Sequence, residues 1–227
     1  MKSSVVLVLA GVALAGGALG LGRRALSVVA SAATGAAAGA AQPASAALAE
    51  YVEARDCTVF GGACHVNGEV SGQGRSALAA WNFGAAGRVV AAVESDENLG
   101  LGGVRRAVLY VDGVSAALLA EVTAAAGLTV LAEHRAAVAW QRAGDTFHIA
   151  VEDVLELSGA ALADRSCCTM PGSVWYAPLA QQVEGPVVGN PARCAFMGGH
   201  GLVGWRYEDA NTAFVGAFRR RPSGLGA

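Results

Sequence analysis

No acidic residue precedes Glu50, and Lys2 is the only lysine in the chain. What remains at the N-terminus is an apolar stretch behind a short positive start, the signature of an export signal. Sulfur is absent between Cys64 and Cys167. Also missing are C-x-x-C, G-x-S-x-G and H-E-x-x-H, so the common thiol-redox, serine-hydrolase and zinc-protease signatures are not present. Gly199–Gly204 does spell G-x-G-x-x-G. It lacks the strand–turn–helix setting and the following chain that a dinucleotide site needs.

The leader has two apolar parts. Val5–Gly22 is unbroken and ends at Arg23-Arg24, and an Ala/Gly-rich stretch runs on to Ala41. Pro43 then precedes Ala44-Ser45-Ala46, a small-x-small pattern that suits signal peptidase. The reading is a leader over residues 1–46 and a secreted or periplasmic domain over residues 47–227. One alternative keeps Val5–Gly22 as a membrane anchor, since it is long enough to span. Its five glycines weaken such a helix, and arginines after the span favour a cytoplasmic C-terminal side. Another alternative takes Arg23-Arg24 as the start of a twin-arginine signal.

The leader carries three of the 16 basic residues and none of the 18 acidic ones, leaving the rest with a net charge of −5. A mildly acidic domain does not suit nucleic acid, whose phosphates need a basic face. Residues 47–227 are enough for one domain with a real core. The terminal Arg219-Arg220-Arg221-Pro222 reads as a solvated tail.

Local patterns suggest strands at Tyr51–Phe60, Ala77–Phe83, Arg88–Val93 and Ala107–Val111, with Gly84–Gly87 as a turn. Glu94–Gly103 reads as a loop. Ser115 caps one helix whose apolar Leu118, Leu119 and Val122 recur at helical spacing, and Gly127 ends it. His134 is placed in a polar turn after it. A hairpin is predicted about Ala143-Gly144-Asp145, with Phe147, Ile149 and Val151 buried. Val154–Leu157 extends the sheet. Ser158–Gly198, rich in glycine, proline and cysteine, reads as irregular chain pinned by cross-links. Gly201–Tyr207 and Ala213–Phe218 close the chain as strands. The fold class expected is α+β: one mostly antiparallel sheet, one main helix and a cysteine-rich irregular segment.

All five cysteines lie in three clusters: Cys57 with Cys64 and His65; Cys167-Cys168 with Met170; and Cys194 with Met197 and His200. Export favours disulfides. Cys57 and Cys64 flank a glycine turn and are expected to pair, a bridge there closing a small loop. Adjacent Cys167 and Cys168 have Cα atoms only about 3.8 Å apart, too close for an unstrained bridge. Cys194 therefore pairs with one of them, Cys168 being taken as its partner and Cys167 as the alternative. One thiol is left over. A second reading is a copper site, because thiolate, thioether and imidazole are ligands for Cu(I); its candidates are Cys167, Cys168, Met170, Cys194, Met197 and His200. A thiol-redox enzyme is the third, supported only by Arg165 near Cys167. His148, His134 and the carboxylates Glu152, Asp153 and Glu156 read as surface groups. Trp81, Trp140, Trp175 and Trp205 read as core, with Trp175-Tyr176 an alternative pocket lining.

The chain also resembles an uncharacterised bacterial family of exported proteins, known only as a domain of unknown function. The resemblance rests on Tyr51-Val52-Glu53-Ala54-Arg55 leading to Cys57-x6-Cys64, then Asn67-Gly68-Glu69. It continues through the Trp81 strand, the Ala107–Asp112 strand before a helix, Tyr176-Ala177-Pro178-Leu179, Trp205, and Ala213–Phe218. It covers most of the mature chain in patches. The chain departs from it at Gly84–Val90 and in the cysteine pattern near Cys167-Cys168. The resemblance implies export but no activity. The function expected is a non-enzymatic module that binds a ligand or partner, with copper handling and thiol redox as alternatives. Membrane contact is expected only through an uncleaved leader.

Overall fold

The computed structural model describes residues 48–59, 73–163, 172–208 and 211–221. Residues 1–47, where a leader is expected, and the segments carrying Cys64, Cys167, Cys168 and Met170 lie outside these residues. Among the described residues, no helix is long and apolar enough to cross a membrane.

Eleven strands form one sheet: β1 Leu48–Arg55, β2 Ser76–Asn82, β3 Arg88–Ser95, β4 Arg105–Asp112, β5 Leu128–Arg135, β6 Ala139–Ala143, β7 Thr146–Val151, β8 Leu155–Ala161, β9 Val183–Phe196, β10 Trp205–Tyr207 and β11 Ala213–Arg219. Among the described residues one α-helix, α1, spans Ala116–Ala126. The strand order is β5-β4-β3-β2-β1-β11-β9-β8-β7-β6, with β10 added on β9. Every pairing is antiparallel except β4 with β5.

Ten strands side by side would span roughly 43 Å if flat. Yet the two outermost strands, β5 and β6, are consecutive in the chain, and Arg135 can lie at most about 14 Å from Ala139. The sheet must therefore curl. The short link is tied down on β4: Ala136 N–H donates to Val111 O at 3.1 Å, and Val138 N–H donates to Asp112 Oδ2 at 3.3 Å.

Curling gives the sheet an inner and an outer face. Val52, Leu78, Val90 and Val108 from one wall meet Ile149, Leu157, Phe196 and Val215 from the other in the inner core. Outside, Tyr51, Trp81, Val89 and Leu109 are covered by α1 and by Leu179-Ala180. Strands β2 to β4 are thus buried on both faces, which explains their continuous apolar runs. The helix begins and ends where its capping residues direct. The Ser115 side chain accepts from Leu118 N–H at 3.3 Å, and Gly127 takes the left-handed conformation at φ 62°.

The α+β assignment is corrected: the described chain is mainly β, with one short helix. Two strands account for the difference. β5 replaces the polar turn expected around His134. β9, fourteen residues long, replaces much of the irregular stretch expected over Ser158–Gly198. Its prolines suggest loop, but they sit where the ladders are interrupted. Pro186 lies at the shift in register between β9 and β11, and Pro191 at the shift between β8 and β9. Proline is tolerated at such bulges because no ladder hydrogen bond is lost there.

Opposite Pro191, Gly159 lets the two backbones touch. A Cβ there would lie 2.3 Å from Asn190 O and 2.7 Å from Pro191 Cα. Because backbone cannot step aside cheaply, Gly159→Ala is expected to destabilise the fold by about 1–3 kcal/mol. A urea unfolding midpoint that does not fall would contradict this placement of β8 on β9.

Candidate functional site

Alternation along β1 puts Tyr51, Glu53 and Arg55 on the outer face, and all three are buried. Glu53 collects donors from both sides. The Tyr51 hydroxyl and Leu179 N–H (2.7 Å) bind Oε2, and Arg55 Nε binds Oε1 at 2.5 Å. Arg55 Nη2 donates to Ala177 O at 2.5 Å, and its guanidinium lies over the Tyr176 and Phe214 rings. Burial pulls Arg55 toward losing its proton, but Glu53 outweighs this and holds its pKa above the usual value. Burial and Glu53 together raise the Tyr51 phenol well above its usual range, so it remains a donor. Breaking such a pair by removing one partner costs about 3–5 kcal/mol. The cluster pins Tyr176-Ala177-Pro178-Leu179 to β1, joining two of the sequence patches singled out above. Its fixed, buried contacts mark it as architecture.

Open chemistry lies at the seam where the curled sheet brings its ends together. Two neighbouring clefts, about 500 and 440 Å³, share Val151–Val154 and Met197. The first runs over the outer side of β7–β9, past His148 and Ala195. There Glu156 pairs with Arg193 at 2.9 Å, and His148 Nε2 stands 3.5 Å from the same carboxylate. The second is lined by Tyr110, His134, Asp153, Met197 and His200, among others.

Register builds the second cleft. The parallel pairing sets Tyr110 beside His134, and the two rings stack with centroids 5.7 Å apart. The His200 ring lies 4.3 Å from that of His134. His200 occupies the tip of a tight turn closed by reciprocal 3.0 Å hydrogen bonds between Gly199 and Leu202. Its φ of 54° and the 88° of Gly201 are the positive pair that a type I′ turn requires. Among the described residues, three non-glycine residues have positive φ. Two of them, Asp153 and His200, line this cleft. Backbone held in that region is costly and collects at functional sites.

The sulfur residues separate. Met197 is 73% exposed in the cleft, whereas Cys194 is fully buried in the inner core, on the other side of β9. His200 sits with Met197, not with Cys194. Cys57 is 6% exposed. Cys57 and Cys194 carry free thiols in this structure, and the partners expected for them lie outside the described residues. Trp81 is core as expected. Trp175 is half exposed and not core. Of the cleft residues, sequence reasoning names only Met197 and His200 as candidates; Tyr110 and Arg193 carry no signal in it, and His134, His148, Glu152, Asp153 and Glu156 are read as surface groups.

No protein-family model, no curated protein and no solved structure matches the chain.

Burial raises the Cys57 thiol to about 11 despite the nearby Arg55 guanidinium, and raises Cys194 further. The folded protein therefore holds these protons where an unfolded thiol, at 9.0, would release them. Stability from Cys57 is complete below pH 9 and is lost as pH rises through about 11. In urea titrations across that range under reducing conditions, Cys57→Ala is expected to flatten the alkaline decline. An unchanged slope would contradict the buried, protonated thiol.

Proposed function

We propose that the chain is an exported binding module and that the double cleft around Met197 is its ligand seat. The observation carrying this is the joining of two ligand-sized clefts at one exposed methionine, on a scaffold closed by a buried apolar core. Clefts of roughly 300–1,000 Å³ with a few convergent polar groups are the usual form of small-molecule sites. Here those groups are His134, His200, Asp153, His148, Glu156 and Arg193. Export follows from the leader pattern of residues 1–46, and the resemblance to exported proteins supports it. Disulfides, including the Cys57–Cys64 bridge, belong to the same proposal and are tested by counting thiols in the secreted protein.

The described thiols do not favour a redox enzyme. Such enzymes need an accessible cysteine of lowered pKa, and burial moves both Cys57 and Cys194 the other way. Copper handling keeps support only through Met197 and His200.

A small-molecule library screened by amide-resonance shifts on the full chain tests the seat. Binders should move signals from His148–Glu156 and Arg193–His200, and Met197→Asp should abolish those shifts without lowering the melting temperature. Hits clustered around Tyr176 and Arg55 instead, or unaffected by Met197→Asp, would contradict it.

A further inference from the structure

Resting on that reading of the cleft, we infer that its second half is a soft-metal site in which His134, His200 and Met197 bind a single Cu(I) ion.

His134 is held from one side by the Tyr110 ring. Its Nε2 is shut off from solvent and makes no hydrogen bond. A buried polar atom left without a partner is costly and calls for an explanation. A neighbouring ring belongs to His200, whose backbone is fixed in the left-handed region at the tip of a tight turn. Three residues earlier, Met197 is 73% exposed and lines the same cleft. Core filling is the usual work of methionine, and this one fills no core. Residues carrying two imidazoles and a thioether thus line one cleft, from β5 and from the β9–β10 connection, segments far apart in the chain.

The donor set selects the ion. Among the described residues, no three His, Cys, Asp or Glu side chains come close enough to hold a metal together. Zinc, which takes four nitrogen, sulfur or oxygen ligands in a tetrahedron, is therefore poorly served. Two neutral nitrogens and one soft sulfur, at low coordination, match Cu(I). The two imidazole rings lie 4.3 Å apart and tilted by 41°, too close for an ion between them, so the ion requires His200 to turn about its side-chain bonds. Its exposed position at the turn tip permits this. The site differs from a cysteine-based one: it uses Met197 and His200 from the third sulfur cluster, omits Cys194, and adds His134.

The test is an anaerobic titration of the full chain with Cu(I) buffered by bicinchoninate, with methionine methyl groups ¹³C-labelled. One equivalent should shift the Met197 methyl and both imidazole signals. His134→Gln and His200→Gln should each weaken binding at least about 30-fold, and Met197→Leu by less, while Cys194→Ala leaves affinity unchanged. His200 is exposed, so its variant keeps the fold and the test stays decisive if His134→Gln unfolds. Copper bound with the Met197 methyl unmoved, or bound as tightly by His200→Gln, would overturn the inference in favour of a thiol seat. No copper binding in a chain whose cleft still takes an organic ligand would overturn the metal alone. Failure of both ligands would remove the cleft reading as well.

Discussion

The two edge strands of the sheet, β5 and β6, are joined by only three residues, and the fold depends on that tether. A sheet ten strands wide cannot lie flat with its edges so close. Curling follows, and from curling come the inner core, in which opposite walls share apolar side chains, and the seam where those walls approach. The seam is the natural place for a cleft. There the ladders end, the chain passes through tight turns at Asp153 and His200, and side chains from unrelated strands face each other.

A second constraint acts on the outside of the sheet. Glu53 and Arg55 are charged, adjacent on one face of β1, and buried. They are held by Tyr51, by the Leu179 and Ala177 backbone, and by aromatic rings. This arrangement fixes a segment without regular structure onto the central strand. Arg105 works similarly, donating to the carbonyls of Leu99, Ala126 and Leu179 and so tying the end of α1 to the same region. Buried polar contacts thus hold the irregular outer chain, and apolar contacts hold the inner core. The clefts lie away from the buried polar contacts and border the inner core at Tyr110, Val151 and Leu155.

What was legible in the sequence was what local chemistry decides. Ser115 and Gly127 mark the helix because capping acts within a turn. Ala143-Gly144-Asp145 marks a hairpin because its strands alternate on either side. β5 left no such trace, since Val130, Leu131 and Glu133 are exposed in succession at an edge beyond which, among the described residues, no strand pairs. β9 was hidden by prolines that only its neighbours' bulges excuse. The cleft was half visible. Met197 and His200 stood out as a cluster, but their grouping with Cys194 ignored the alternation of β9, which sends that thiol inward. The pairing of Tyr110 with His134 depends on a parallel register between strands separated by a helix, and no short-range pattern encodes it.

The central claim is that the sheet curls far enough to bring β5 against the turn after β9. Nuclear Overhauser contacts among aromatic ring protons measure this directly in solution. The account predicts cross-peaks from the His134 ring to both Tyr110 and His200. A His134 ring that contacts Tyr110 but shows nothing to His200 or to the Val151–Val154 turn would mean an open seam, and would contradict it.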